Sequence, residues 1–82
     1  MHITIRQLQV FESVARHLSY TRAAEELHLT QPAVSMQVKQ LEESIGLPLF
    51  EQIGKKIYRT EAGEIMLGHA LTIHEHLTIA KR

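Results

Sequence analysis

The sequence predicts a mainly α-helical domain of four helices, with one short β-hairpin between the third and the fourth. Three observations support this. Apolar residues recur at helical spacing in four segments, capping residues precede those segments, and two β-prone runs flank a Gly-Lys turn. With 82 residues the chain has the length of one small domain. We expect modest stability, because a chain this short buries only about 60% of its unfolded surface.

The first two helices each follow residues that favour helix initiation. Thr4 and Gln7 have the spacing of a capping box, and the apolar residues after them predict a helix from about 5 to 17. The stretch 19–21 offers two possible caps, Ser19 and Thr21, for a short second helix. The apolar face of that second helix consists of Ala23, Ala24 and Leu27.

The third helix has clear signals at both ends. Thr30 is its predicted N-cap, and Pro32 lies in its first turn, where proline is tolerated. Gly46 favours a left-handed C-cap, and Pro48 follows as a second stop. The predicted buried stripe of this helix consists of Val34, Val38, Leu41 and Ile45.

The second and third helices are separated only by His28 and Leu29, and two helices joined by so short a turn indicate a helix-turn-helix unit. The small residues Ala23 and Ala24 allow the third helix to cross the second closely. The β-prone runs 49–52 and 57–59, on either side of 53–56, then form a hairpin. Three helices followed by such a hairpin predict a winged helix-turn-helix.

Thr60 is the predicted cap of a final helix that runs from residue 61 to the end of the chain. We therefore divide the sequence into a winged helix-turn-helix at 1–60 and a linker helix at 61–82. The helix-turn-helix covers about 21–40 and the wing about 49–59. The final helix carries an apolar stripe that no later segment of this chain can cover, so a partner helix is expected there. The predicted dimerisation residues are Met66, Ala70, Ile73, Leu77 and Ala80.

Composition narrows the possible protein classes. The chain is 44% hydrophobic and 22% charged, as is typical of a soluble globular domain. No apolar run approaches the roughly 20 residues of a membrane span, and the N-terminal residues lack the pattern of a signal peptide. The absence of cysteine excludes disulfides and fits a reducing compartment, so we expect a cytoplasmic protein. The chain is also expected to be a fragment of a longer protein.

The outward face of the third helix is the predicted DNA-contacting surface, because the N-terminal part of this helix meets base edges in helix-turn-helix proteins. Gln31 has the side chain to bond adenine in a bidentate manner, and Ser35 suits a base or a phosphate. Met36 fits a thymine methyl group, and Lys39 is assigned to a phosphate. Lys55 and the next lysine would form a wing that reaches the minor groove or its phosphates. The full predicted set is Thr21, Thr30, Gln31, Pro32, Ser35, Met36, Lys39, Lys55 and Lys56.

The net charge of zero, from nine basic and nine acidic residues, is unusual for a DNA-binding domain. Three lysines nevertheless fall in the segments predicted to approach DNA, whereas five glutamates lie elsewhere: Glu42, Glu43, Glu61, Glu64 and Glu75. Neutrality leaves open a second function, a winged helix used only for protein interaction. RNA binding ranks last, because the aromatic residues used for base stacking are scarce.

Six histidines raise the question of a metal site. His69 and His76 share a helix face but lie two turns apart, about 10 Å by helical rise, which is too far for one ion. No histidine pair has the i, i+4 spacing of a helical zinc site, so neither metal nor cofactor is predicted. No phosphate loop, nucleophile elbow or acid-base pair can be assembled either, and an enzyme is not expected.

The run from Thr21 to Ser35, TRAAEELHLTQPAVS, resembles the helix-turn-helix of LysR-type transcriptional regulators. The resemblance continues through 41–43, Gly46, 49–50 and 60–63, and so covers nearly the whole chain. The stretches 30–41 and 48–58 further resemble the subgroup that controls RuBisCO and carbon-fixation operons.

This resemblance implies double-stranded promoter DNA as the partner and an interrupted dyad as the target. It also implies a homodimer through the final helix, a tetramer in the full-length protein, and a small-molecule effector that binds only to a domain absent here. Three positions depart from the family pattern. Met36 and Gln52 stand where arginine is common, and Arg59 stands where an apolar residue often precedes the Thr-acid-Ala-Gly cap.

Overall fold

Four helices and one antiparallel hairpin follow one another in the predicted order, which confirms the fold class. The structure is a computed structural model that describes residues 2–80, with side chains through residue 78. Its elements are α1 (Ile5–His17), α2 (Tyr20–Leu27), α3 (Gln31–Ile45), β1 (Phe50–Ile53), β2 (Lys56–Arg59) and α4 (Glu61–Ala80).

The predicted caps begin the first three helices. The Thr4 hydroxyl accepts from the Gln7 amide at 3.0 Å, and the Gln7 side chain accepts from the Thr4 amide at 3.1 Å, which completes the capping box. For α2 the structure selects Ser19, whose hydroxyl accepts from the Arg22 amide at 3.1 Å. Thr30 caps α3 through the Ala33 amide at 3.2 Å. These bonds satisfy amides that have no partner within their own helix.

Small residues allow α2 and α3 of the helix-turn-helix unit to pack closely, as predicted. Ala23 and Ala24 of α2 are buried against Val34 and Val38 of α3, and both helices share this cluster with Val10 and Val14 of α1. Between α2 and α3, His28 adopts a left-handed backbone with φ of 56°. The Leu29 amide then bonds to the Ala24 carbonyl at 2.9 Å, and the chain reverses into α3.

Part of the apolar stripe of α4 packs against α1 of the same chain, whereas Ile73 in that stripe stays 36% exposed. Ala70 is only 2% exposed, and it packs with Phe11 of α1 and Leu49 in a second core cluster that Met66 borders. Farther along α4, two more predicted dimerisation residues, Ile73 and Leu77, line a small cavity of about 10 Å³ together with α1 side chains. The side chain of Ala80 lies outside the described residues. The core therefore extends past residue 60 into the predicted linker helix.

The start of α4 is attached to the segment before the hairpin by Thr60. Its hydroxyl accepts from the Gly63 amide at 3.0 Å and donates to the Pro48 carbonyl at 2.7 Å, while its amide donates to the Leu49 carbonyl at 3.1 Å. The backbone of Gly63 closely approaches this carbonyl, because a Cβ added at Gly63 would lie 2.1 Å from the Leu49 oxygen. The Thr-Glu-Ala-Gly run is thus both a helix cap and a close backbone contact.

Arg59 ties the end of the hairpin to two helices. Its Nη1 donates to the Ala15 carbonyl of α1 at 2.5 Å, and its Nε donates to Glu64 of α4 at 2.6 Å. The guanidinium suits this place because it offers several donors in a fixed planar arrangement. Arg59, which departs from the family pattern at this position, therefore has a structural role: its hydrogen bonds connect the hairpin to α1 and α4.

A polar network joins α1 to α2 around the carboxylate of Glu26. Ser13 donates to Glu26 at 2.5 Å, and Arg16 donates to the same oxygen at 2.7 Å. The Ser13 hydroxyl, and after it the Arg16 guanidinium, lowers the pKa of Glu26 to about 2. Because this folded-state pKa lies below the ordinary value of 4.5, the ionised network stabilises the fold above pH 4.5 and loses that effect as the pH falls toward 2.

We expect Glu26→Gln to remove part of the acid sensitivity of this domain. The wild-type chain should lose more stability than the variant between pH 5 and pH 2.5, because only the carboxylate must take up a proton in that window. Urea denaturation midpoints at the two pH values measure the difference. Equal losses in both proteins would show that Glu26 does not contribute to acid unfolding.

Candidate nucleic-acid interface

The outward face of α3 presents an exposed row of side chains, as its periodicity predicts. Gln31, Pro32, Ser35, Met36 and Lys39 are all exposed, and Met36 is exposed by 53%. This face is turned away from the core because Val34, Val38 and Leu41 on the opposite side are buried at 1% exposure or less. Within the described residues, the side chains of Gln31, Ser35 and Lys39 make no hydrogen bond, so their polar groups are available to a ligand.

Thr21 and Thr30, the other helical residues of the predicted set, are both exposed but differ in what their hydroxyls do. The Thr30 hydroxyl already accepts from the Ala33 amide and belongs to the α3 cap. Thr21 lies in the first turn of α2, next to the capping residue Ser19. Thr21 is thus the freer of the two for a contact beyond the chain.

An open notch of about 310 Å³ brings the starts of α2 and α3 together with the hairpin. Its polar walls include Thr21, Gln31, Gln52 and Lys55. Tyr20 also lines it, and its ring meets Phe50 edge-on with centroids 6.0 Å apart. Burial, with a smaller contribution from Glu42, raises the pKa of Tyr20, which keeps this phenol neutral. The notch is therefore lined by three segments that are distant in sequence: the start of α2, the start of α3 and the hairpin.

The wing is a two-stranded antiparallel hairpin in which Phe50 pairs with Arg59 and Ile53 pairs with Lys56. Gly54 turns the chain with φ of 64°, and Lys55 follows it at the tip. Both wing lysines are exposed. Lys55 faces the notch, whereas Lys56 is the first residue of β2, so the two amines leave the hairpin at different positions.

The acidic residues are partly removed from this surface by internal bonds. Glu42, for example, accepts from the Leu49 amide at 2.7 Å and supports the connection from α3 to the hairpin. Two further glutamates, Glu25 on α2 and Glu51 on β1, are exposed on the elements that carry predicted contacts. Their repulsion of phosphates offsets part of the attraction from the lysines.

Two residues of this region were missed by sequence reasoning as members of a site. Gln52 was considered only as a departure from the family pattern, yet it lines the notch, and its amide is held by the Gly54 carbonyl at 3.2 Å. Tyr20 is not among the predicted contact residues, although it also lines the notch. Their shared location depends on how the hairpin folds back toward α2, which no local pattern reveals.

No metal cluster or membrane helix occurs in the part of the chain that the structure describes. No three His, Cys, Asp or Glu side chains there are grouped so that they could hold an ion. No helix within residues 2–80 combines the length and apolar character that a membrane crossing requires.

Comparison with known proteins gives matches over nearly the whole chain. One relative is a RuBisCO operon transcriptional regulator from Allochromatium vinosum, 62% identical over 77 residues, which cover 94% of this chain and 26% of that protein. Another is the glycine cleavage system transcriptional activator of Escherichia coli K12, 46% identical over 95% of this chain and 26% of that protein. The chain thus spans about a quarter of the length of these relatives.

A similar fold occurs in the crystal structure of the CbnR DNA-binding domain in complex with DNA. The TM-score is 0.87 at 33% sequence identity, and the match covers 95% of this chain and 90% of that one. Residues 5–64 match the family described as bacterial regulatory helix-turn-helix protein, lysR family. That segment includes the helix-turn-helix, the wing and the Thr60–Glu64 start of α4. The chain therefore belongs to the LysR family of bacterial regulatory helix-turn-helix proteins.

Proposed function

We propose that this domain binds specific sites on double-stranded DNA as the recognition domain of a LysR-type transcriptional regulator. The observation that carries the proposal is the exposed row on α3, where Gln31, Ser35 and Lys39 present polar groups without partners among the described residues. A helix with such a face fits the major groove. The likeness to a DNA-binding domain solved with DNA supports the same conclusion.

The individual roles follow from side-chain chemistry. Gln31 reads a base, Ser35 bonds a base or a phosphate, and Met36 packs on a thymine methyl group. Lys39 binds a phosphate, and the wing contributes Lys55 and its neighbour in the minor groove or at its phosphates. Because the net charge is zero, we expect weak binding to random DNA and a large share of the affinity from these specific contacts.

We infer further that the regulated genes include a RuBisCO operon. Identity to the RuBisCO operon regulator is 62%, compared with 46% for the glycine cleavage activator over nearly the same length. A difference of this size within one family favours the carbon-fixation subgroup.

The full protein would act as a regulator in the cytoplasm rather than as an enzyme. A separate domain would bind its small-molecule effector.

We propose a homodimer through α4 and a tetramer of the full-length protein on an interrupted dyad. Two-fold symmetric binding suits a recognition helix, because two copies then read two half-sites. Of the predicted contact residues, Ala70 is buried in the core, whereas Ile73 is 36% exposed and accessible to a second copy.

Fluorescence anisotropy tests the proposed function directly. A labelled duplex from a carbon-fixation promoter is compared with a shuffled duplex of equal composition, each at two salt concentrations. Preference for the promoter, with affinity that falls as salt rises, is the expected result. Equal, salt-sensitive binding to both duplexes would contradict the RuBisCO assignment alone.

The second candidate function is a winged helix that binds proteins and does not read DNA, and the observation that favours it is the neutral net charge. A folded, dimeric sample that binds neither duplex at any salt concentration would favour this candidate and overturn the first. The same anisotropy titrations therefore separate the two functions, provided that the oligomeric state is measured on the same preparation.

A further inference from the structure

The wing is held to the rest of the domain by few side chains. Of residues 50–59, only Phe50, Ile57 and Arg59 are partly buried, and the others are exposed. Phe50 packs on Phe11 of α1, with ring centroids 5.4 Å apart, and Ile57 packs on the cluster between the first three helices. Because a two-stranded hairpin is marginally stable by itself, the direction in which the wing points depends on these three side chains.

Arg59 makes the only directional contacts among the three. Its Nη1 donates to the Ala15 carbonyl at 2.5 Å, and its Nε donates to Glu64 at 2.6 Å. Apolar contacts allow the hairpin to tilt, whereas two hydrogen bonds from one planar guanidinium fix its orientation. We propose that Arg59 is a positioning residue that holds the wing in the orientation required for DNA contact. The proposal rests on the DNA-binding function proposed above.

The Ala15 carbonyl lies at a place that couples the wing to the notch. It belongs to the last turn of α1, where carbonyls have no partner within the helix. The chain then passes through Leu18 and Ser19, which line the notch, into α2. Ile57 lines the notch from the hairpin, two residues before Arg59. The bond from Arg59 to Ala15 therefore joins two walls of the notch from behind.

The length of the wing amplifies a change at its base. Lys55 is four residues from Arg59, or about 13 Å at a strand rise of about 3.3 Å per residue. A tilt of about 10° at the base would thus move the tip by about 2 Å. Such a shift is enough to break a hydrogen bond to a phosphate. Loss of the Arg59 bonds should therefore remove the DNA contacts of Lys55 and Lys56.

Anisotropy with the labelled promoter duplex tests this role through two substitutions of Arg59. Arg59→Leu removes both bonds and should raise the dissociation constant by about 10-fold. Arg59→Lys keeps the charge, but one ammonium group cannot occupy both the Nε and the Nη1 positions. It should still weaken binding by about 5-fold. If Arg59 acted only through its charge, the lysine variant would bind as tightly as the wild type.

A double-mutant cycle tests whether Arg59 acts through the wing lysines. In a chain that carries Lys55→Ala and Lys56→Ala, the wing no longer has the contacts that Arg59 is proposed to position. Adding Arg59→Leu to that chain should then change the dissociation constant by less than about 2-fold. Independent contributions would instead lower the affinity by the same factor as in the wild-type background.

Hydrogen exchange without DNA measures the placement of the wing directly. In Arg59→Leu the amides of 50–59 should exchange about 10-fold faster, while those of 34–45 in α3 stay within about 3-fold of the wild type. Glu26→Gln is the matched control, because it alters a polar contact of α1 that does not line the notch. This variant should leave exchange in the wing unchanged and bind the promoter at least as tightly as the wild type.

Three results would each overturn the positioning role. They are an Arg59→Lys variant that binds like the wild type, an additive double-mutant cycle, and hairpin exchange that is unchanged or accelerated equally in α3. In all three the wild type still binds the promoter, so the DNA-binding function stands. A folded wild type that binds neither duplex would overturn both proposals, and that result needs no variant to be seen.

Discussion

Replacing Gly63 by alanine should destabilise the domain by about 3 kcal/mol or more, which is large for the addition of a single methyl group. The new Cβ would lie 2.1 Å from the Leu49 carbonyl oxygen and 3.2 Å from the Leu49 carbonyl carbon. That peptide cannot easily yield, because the Leu49 amide donates to Glu42 at 2.7 Å and its carbonyl accepts from Thr60 at 3.1 Å. The clash therefore outweighs the gain of about 1 kcal/mol that alanine brings to a helix.

Gly68 provides the matched control on the same helix. A Cβ added there meets no heavy atom within 4 Å, so Gly68→Ala should raise stability by about 0.5–1 kcal/mol through helix propensity alone. Urea denaturation of both variants and the wild type, at one protein concentration, measures the free energies of unfolding. If Gly63→Ala were as stable as Gly68→Ala, the close contact between α4 and Leu49 would not exist as described.

Replacing Gln31 by alanine should weaken binding to the cognate promoter duplex by about 1–3 kcal/mol and relax the base preference at one position. Its amide is exposed at the start of α3 and borders the notch beside the wing, where it is free of internal bonds among the described residues. Anisotropy titrations with the promoter duplex and with single-base variants of it measure both effects. An equal loss on every duplex would remove Gln31 from the base-reading residues.

Lys39→Ala is the control from the same helix face. A phosphate contact carries no sequence information, so this variant should weaken binding to all duplexes alike and lower the salt slope of the affinity by about one. A salt slope equal to that of the wild type would show that Lys39 binds no phosphate. The two variants together separate base reading from charge attraction on one helix.

Much of the fold could be predicted because its signals are local. The capping box at Thr4, the cap at Thr30 and the Gly46 stop each act within a few residues, and the structure confirms all three. The inward and outward sides of α3 follow from helical periodicity, which is why the exposure of Gln31 and its neighbours was anticipated. Local hydrogen bonding and periodicity leave few alternatives at such places.

The remaining features depended on long-range packing. The pattern of α4 showed an apolar stripe, but not that Ala70 would be buried against Phe11 of α1 while Ile73 stays exposed. The bond from Arg59 to the Ala15 carbonyl spans 44 residues. The notch that includes Gln52 exists only where the hairpin meets α2.

Sequence alone thus identified the helices, the turn between them and the face offered to DNA, because each depends on neighbours a few residues apart. Tertiary structure alone decided which side of α4 is free, why Gly63 admits no side chain and what Arg59 holds. These three features depend on how closely backbone segments that are distant in sequence approach one another. A periodic sequence pattern does not specify that distance.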